Sequence, residues 1–102
     1  MGWVMYKTHK GLNTYENESL APKDAFEVLK YIKNKFGKRL KYGKDFWDIV
    51  TDDIYNDLII DGIKINLGFD NWSGVFIMAW DERGNELVEE IAEMIQRDKF
   101  LL

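Results

Sequence analysis

"DLIIDGIKINLGFDNWSGVFIMAW", residues 57–80, reads as successive strands joined by two tight turns. Asp61-Gly62 lies between two apolar runs, and an Asp-Gly pair supplies the positive φ angles that a two-residue hairpin turn requires. After it, Ile63, Ile65, Leu67 and Phe69 alternate with Lys64, Asn66, Gly68 and Asp70. A period of two gives this strand one apolar and one wet face. Residues 70–74 form the second turn. "VFIMAW" (75–80) is apolar on both faces, which predicts a central strand covered on both sides or at its ends.

Outward from this meander, the periodicity changes. Residues 81–85 turn into "ELVEEIAEMIQRDK" (86–99), where Leu87, Ile91, Met94 and Ile95 form a helical stripe. Glu86, Glu89 and Glu90 lie early in this helix and Arg97 and Lys99 late, as the helix dipole favours. Toward the amino end, residues 38–56 fit two descriptions. The spacing of Trp47, Val50, Ile54 and Leu58 suits a short helix, and the β-branched content suits a strand, so the segment stands as a short strand or helical turn plus loop. "PKDAFEVLKYIKNKF" (22–36) is a clear helix with Ala25, Val28, Leu29, Ile32 and Phe36 on one face. Pro22 suits its first turn and Gly37 its end. Residues 10–19 read as a polar loop and residues 3–9 as a first strand. The order predicts one α+β domain over residues 1–102: a single antiparallel sheet of four to five strands with two helices packed on one face.

Composition narrows the functional classes. The 102 residues include fifteen aromatics, one proline and no cysteine. Thiol and disulfide chemistry are excluded, which suits a reducing compartment. No apolar run approaches the ~20 residues of a membrane span, and the amino end carries no export signal. The expectation is a cytoplasmic, single-domain protein.

Charge is partitioned along the chain. Residues 1–44 carry ten Lys/Arg against four Asp/Glu (+6), and residues 45–102 carry four against fourteen (−10), for a net −4. Such polarity bears on the sign of partners and on association rate, with little effect on fold. The basic stretch 30–44, with Lys33, Lys35, Lys38, Arg39, Lys41 and Lys44, could grip a phosphate backbone. Its competing explanation is a solvated helix face compensating the dipole. The acidic stretch interleaves Asp45, Asp48, Asp52, Asp53 and Asp57 with Phe46, Trp47 and Tyr55, and Asp70 and Trp72 sit at a turn tip. Aromatics ringed by carboxylates combine desolvated anchors with charge complementarity. Core packing competes with an anchor role for Trp47 and Trp72.

Catalytic signatures are missing. A thiol nucleophile is unavailable, and Ser73 in Trp-Ser-Gly suits a turn better than a triad with the single histidine, His9. The dense aspartates lack the calcium-loop pattern, no acidic-x-Lys triplet occurs, and no phosphate loop is present. No catalytic residue, metal or cofactor is expected.

Residues 61–95, "DGIKINLGFDNWSGVFIMAWDERGNELVEEIAEMI", resemble the carboxyl-terminal half of small immunity proteins from bacterial toxin–immunity systems. The resemblance lies in an Asp-x-Trp-Ser-Gly turn between strands, a Gly-containing turn and an acidic helix. It implies a non-enzymatic cytosolic inhibitor of a cognate toxin, commonly a nuclease. On that expectation Asp52, Asp53, Tyr55, Asp57, Asp70 and Trp72 contact a basic protein partner, with Asp45, Trp47 and Asp48 behind them. The alternative is a small nucleic-acid-binding module built on the basic segment.

Overall fold

Strands β1 (Val4–Lys7) and β2 (Asn13–Asn17) lead into helix α1 (Pro22–Phe36), and a single 3-10 turn at Gly37–Arg39 passes the chain to β3 (Leu40–Asp48). Strands β4 (Asp53–Ile60), β5 (Ile63–Asp70) and β6 (Gly74–Ala79) follow, and helix α2 (Gly84–Asp98) comes last. The computed structural model describes residues 2–48 and 53–102, and the side chains of 2–45 and 53–102. The strands form one sheet in the order β1-β2-β6-β5-β4-β3, every neighbouring pair antiparallel.

The meander behaves as its alternation requires. Ile65, Leu67 and Phe69 of β5 are buried beside Ile54 and Leu58 of β4 and Val75 and Ile77 of β6. On this same face lie Ala25, Val28, Ile32 and Phe36 of α1 and Leu87, Val88, Ile91 and Ile95 of α2, all in one hydrophobic cluster. Each fully buried aliphatic side chain contributes about 1.5–3 kcal/mol. α1 opens as its sequence dictates, with the Asp24 carboxylate accepting the Ala21 amide at 2.8 Å. It ends at Gly37, whose φ of 55° an L side chain rarely adopts.

The sheet has six strands, not four to five, because two segments hide their period. β2, "NTYEN", falls inside the expected loop 10–19. Its inward residues are Asn13, Tyr15 and Asn17, so polar side chains occupy positions where a pattern reading looks for aliphatics. Asn13 is buried because α2 satisfies it: its amide donates to Asn85 Oδ1 (2.8 Å), and its Nδ2 donates to the Asn85 carbonyl (3.1 Å) and Glu89 Oε1 (3.2 Å). Asn85 Nδ2 in turn donates to the Gly11 carbonyl at 3.0 Å. Removing a partner from a buried donor costs about 1–3 kcal/mol. Asn85→Ala is therefore expected to lower the thermal midpoint by about 4–8 °C per kcal/mol lost, measurable by calorimetry.

The second hidden segment is β3. Its pairing with β4 slips between Tyr42 and Asp45, so the inward–outward alternation changes phase within the strand. β1 and β3 are the sheet edges. The first is four residues long, and the second carries the bulge and exposed Lys41 and Lys44, all of which discourage edge pairing.

The chain ends are fastened over the core. The Trp3 ring stacks on Tyr15 (4.9 Å) and its Nε1 donates to the Phe100 carbonyl at 3.3 Å. Tyr31 of α1 stacks on Phe100 (4.2 Å), and its hydroxyl donates to Asp98 Oδ2, which also meets Lys35 Nζ at 2.8 Å. Hydrogen bonding from Lys35, then from Tyr31, holds the Asp98 carboxyl below the ordinary carboxylate range. A depressed carboxylate stabilises the fold above its unfolded value of about 3.9, and that stabilisation is lost as pH falls through the folded value. Asp98→Asn should consequently flatten the acid limb of a stability-versus-pH curve below about pH 4, while leaving its shape near neutrality unchanged.

Candidate binding face

The helices leave the second face of the sheet uncovered, and strand register decides what that face presents. One cross-strand row runs Val4, Glu16, Phe76, Gly68, Tyr55, and the next runs Tyr6, Thr14, Met78, Asn66, Asp57. Asp53, two residues before Tyr55, and Asp70, two residues after Gly68, continue the face toward the β5–β6 turn. Trp72, at that turn, is 92% exposed.

Phe76 forms the floor. It is only 4% exposed despite facing away from the helices, because Gly68 beside it has no side chain. A Cβ on Gly68 would come within 2.7 Å of Phe76 Cζ. The Tyr55 ring lies 5.6 Å from that of Phe76 at 55°. Thr14, Glu16, Tyr55, Asp70, Phe76 and Met78, with Ser73, line an open-mouthed hollow of about 140 Å³. A neighbouring hollow of about 70 Å³ shares Glu16 and Ser73 and adds Val4, Tyr6, Glu18 and Trp72.

The carboxylates here are oriented by the fold. Thr14 Oγ1 donates to Glu16 Oε2 at 2.8 Å. Asp70 Oδ1 accepts the amides of Trp72 (2.9 Å) and Ser73 (2.6 Å), the turn role read for Ser73. No cationic side chain lines either hollow. Among the described residues, no ion pair holds Glu16, Glu18 or Asp70. Burial, and then the charges of Asp70 and Asp53, push the Tyr55 hydroxyl above its usual value, a sign of negative potential over this end of the face.

No family model, curated protein or solved structure matches the chain. Among the described residues no three His, Cys, Asp or Glu side chains converge to hold a metal ion, and no helix is long and apolar enough to cross a membrane.

The structure gathers Asp53, Tyr55, Asp70 and Trp72 of the expected contact set at one end of the open face. Asp57 lies farther along and is neutralised internally: Lys64 Nζ sits 3.1 Å from Oδ2, and Asn66 Nδ2 donates to Oδ1. Lys64 also lies 3.9 Å from the centre of the Trp80 ring. Asp45 is exposed, but its register opposite Asn56 assigns it to the helix-side face, apart from the others. The backbones of Trp47 and Asp48 pair with Ile54 and Asp53. The side chains of Trp47 and Asp48, and the whole of Asp52, lie outside the described residues.

The basic set is divided. Lys35 pairs with Asp98, and Arg39 grips Asp61 with Nε at 2.9 Å and 3.1 Å from its two oxygens. Lys33 and Lys38, with Lys30 and Asn34, border an open depression at the end of α1, while Lys41 and Lys44 are exposed on β3. The sign change between Lys44 and Asp45 thus falls in the middle of β3, at the bulge. Eight residue steps of about 3.3 Å carry this strand about 26 Å from its basic start to its acidic finish.

Residue-by-residue reading missed Glu16, Glu18 and Phe76. Phe76 and Met78 had a visible signal, since apolar side chains on the wet side of "VFIMAW" mark a spot where the uncovered face is greasy. Glu16 has none, because the polar residues around it carry no strand period.

Proposed function

We propose that the chain is a non-enzymatic inhibitor that binds a basic protein, of the nuclease-toxin kind, through the open face of its sheet. One observation carries the reading: an aromatic floor on an uncovered sheet face is rimmed by Glu16, Glu18 and Asp70, none of them ion-paired among the described residues. Trp and Tyr are the side chains most able to anchor a protein interface, and carboxylates around them select and steer a cationic mate. The resemblance of residues 61–95 to immunity proteins supports the same class of partner.

The test pairs the protein with a basic toxin-like domain, sought first among the products of adjacent genes. Stoichiometric inhibition of that domain is expected, with affinity falling as salt rises. The double charge reversal Glu18→Lys, Asp53→Lys should lower the association rate by about 10-fold or more at low salt and flatten the salt slope. An unchanged rate and slope would place the interface elsewhere.

The depression bordered by Lys30, Lys33 and Lys38 supports the second reading, a nucleic-acid-binding module. A gel-shift titration with single- and double-stranded RNA and DNA at low salt separates the two, and absence of a shift removes this one.

A further inference from the structure

We infer that the hollow above Phe76 is a receptor for a single arginine side chain of the partner. This rests on the protein-binding reading and narrows it from a charged surface to one guanidinium. The hollow, about 140 Å³, is on the order of the ~150 Å³ that accepts a benzene-sized group. Its floor and one wall are the rings of Phe76 and Tyr55, tilted 55° to each other. A guanidinium stacks on such faces through its flat π-surface and positive charge.

The carboxylates stand on opposite sides. Glu16 comes from β2 and Asp70 from the end of β5, with β6 running between them. Strands two places apart are separated by about 9.5 Å at the backbone, so the two carboxylates reach the hollow from different sides. The broad fork of a guanidinium directs five N–H donors outward in its plane and can address both sides while its face rests on the Tyr55 ring, 40% exposed, above the nearly closed Phe76. Both acids are already held, Glu16 by Thr14 and Asp70 by the amides of Trp72 and Ser73, so little ordering remains to be done on binding.

The full chain is titrated with N-acetyl-arginine amide and, separately, N-acetyl-lysine amide at low salt, following backbone amide NMR shifts. The arginine compound should give saturable shifts centred on Tyr55, Ser73 and Phe76, and should bind more tightly than the lysine compound. Glu16→Gln and Asp70→Asn should each weaken it by about tenfold, and Asn at position 70 can still accept the two turn amides. Ser73→Phe fills the hollow without altering any carboxylate. It should abolish the shifts while keeping native amide dispersion and thermal midpoint.

Equal affinity for the two compounds, or arginine shifts that persist in Ser73→Phe, would overturn the receptor. Concentration-dependent shifts of Ser73 together with Lys38 in the untreated protein would also overturn it, by placing a second copy of the chain in the hollow. Toxin binding that survives Ser73→Phe but is lost in Glu18→Lys, Asp53→Lys would remove the arginine slot and leave the inhibitor reading standing. Arginine binding in the hollow without inhibition of any toxin domain would do the reverse.

Discussion

Gly68→Ala is expected to be one of the two most damaging single-methyl changes in the described protein, beside Gly74→Ala, whose Cβ would meet the Asn17 carbonyl oxygen at 2.1 Å. At Gly68 the added Cβ would lie 2.0 Å from the Ile54 carbonyl oxygen and 2.7 Å from Phe76 Cζ. The first of these neighbours is backbone in a paired strand, so it cannot swing away as a side-chain tip could. Overpacking of this kind costs about 1–3 kcal/mol and sometimes more; here the upper end is expected. For a domain of this size that is a fall of about 12–24 °C in the thermal midpoint. Trimming the ring with a second substitution, Phe76→Leu, should not rescue it, because the shorter distance is to the carbonyl. A Gly68→Ala protein that melts within a few degrees of the parent would mean that β4 and β5 do not approach as described.

Trp72→Ala should have the opposite profile. The indole is 92% exposed and sits at the β5–β6 turn, where the turn bonds come from its backbone amide. Its removal should leave stability within about 0.5 kcal/mol of the parent. If the open face is the interface, the same change should cost about 2 kcal/mol or more of partner affinity. That corresponds to about 30-fold, expressed mainly in the dissociation rate. Calorimetric unfolding and surface plasmon resonance on the same preparation would check both halves. Unchanged binding would remove Trp72 from the interface.

The helices, β5, β6 and the second half of β4 were legible in the sequence because each carries its apolar residues in a recognisable run or period, whereas residues 53–56 of β4 fitted a helical turn as well as a strand. Residues 22–36 repeat at three and four and bury that stripe, and the alternation of residues 63–69 sets which side chains face the helices, although Asn66 and Gly68 on the expected wet face are buried as well. β2 was illegible because two of its three inward side chains are asparagines, and Asn13 finds its partners, Asn85 and Glu89, more than seventy residues away. β3 was illegible because the slip between Tyr42 and Asp45 mixes two phases in one strand. The binding face fell between these cases. Asp53, Tyr55, Asp70 and Trp72 could be nominated from their mixture of acid and aromatic, but only strand order shows that Glu16 and Phe76 stand among them. Asp57 shares the same mixture of acid and aromatic, but the lysine that pairs with it comes from the next strand, a neighbour that sequence order hides.

The bulged edge strand spreads its two signs over about 26 Å, and this sets how far away each can be felt. At physiological ionic strength a charge is felt over about 8 Å, so an approaching cation senses mainly the nearer end of the strand, while Lys44 and Asp45 offset each other at its middle. In dilute buffer, where the reach grows to about 30 Å, the lysine-rich pole pushes back at the same moment as the aspartate-rich pole pulls. Ionic strength therefore decides whether the molecule presents itself to its surroundings as a dipole or as two separate ions.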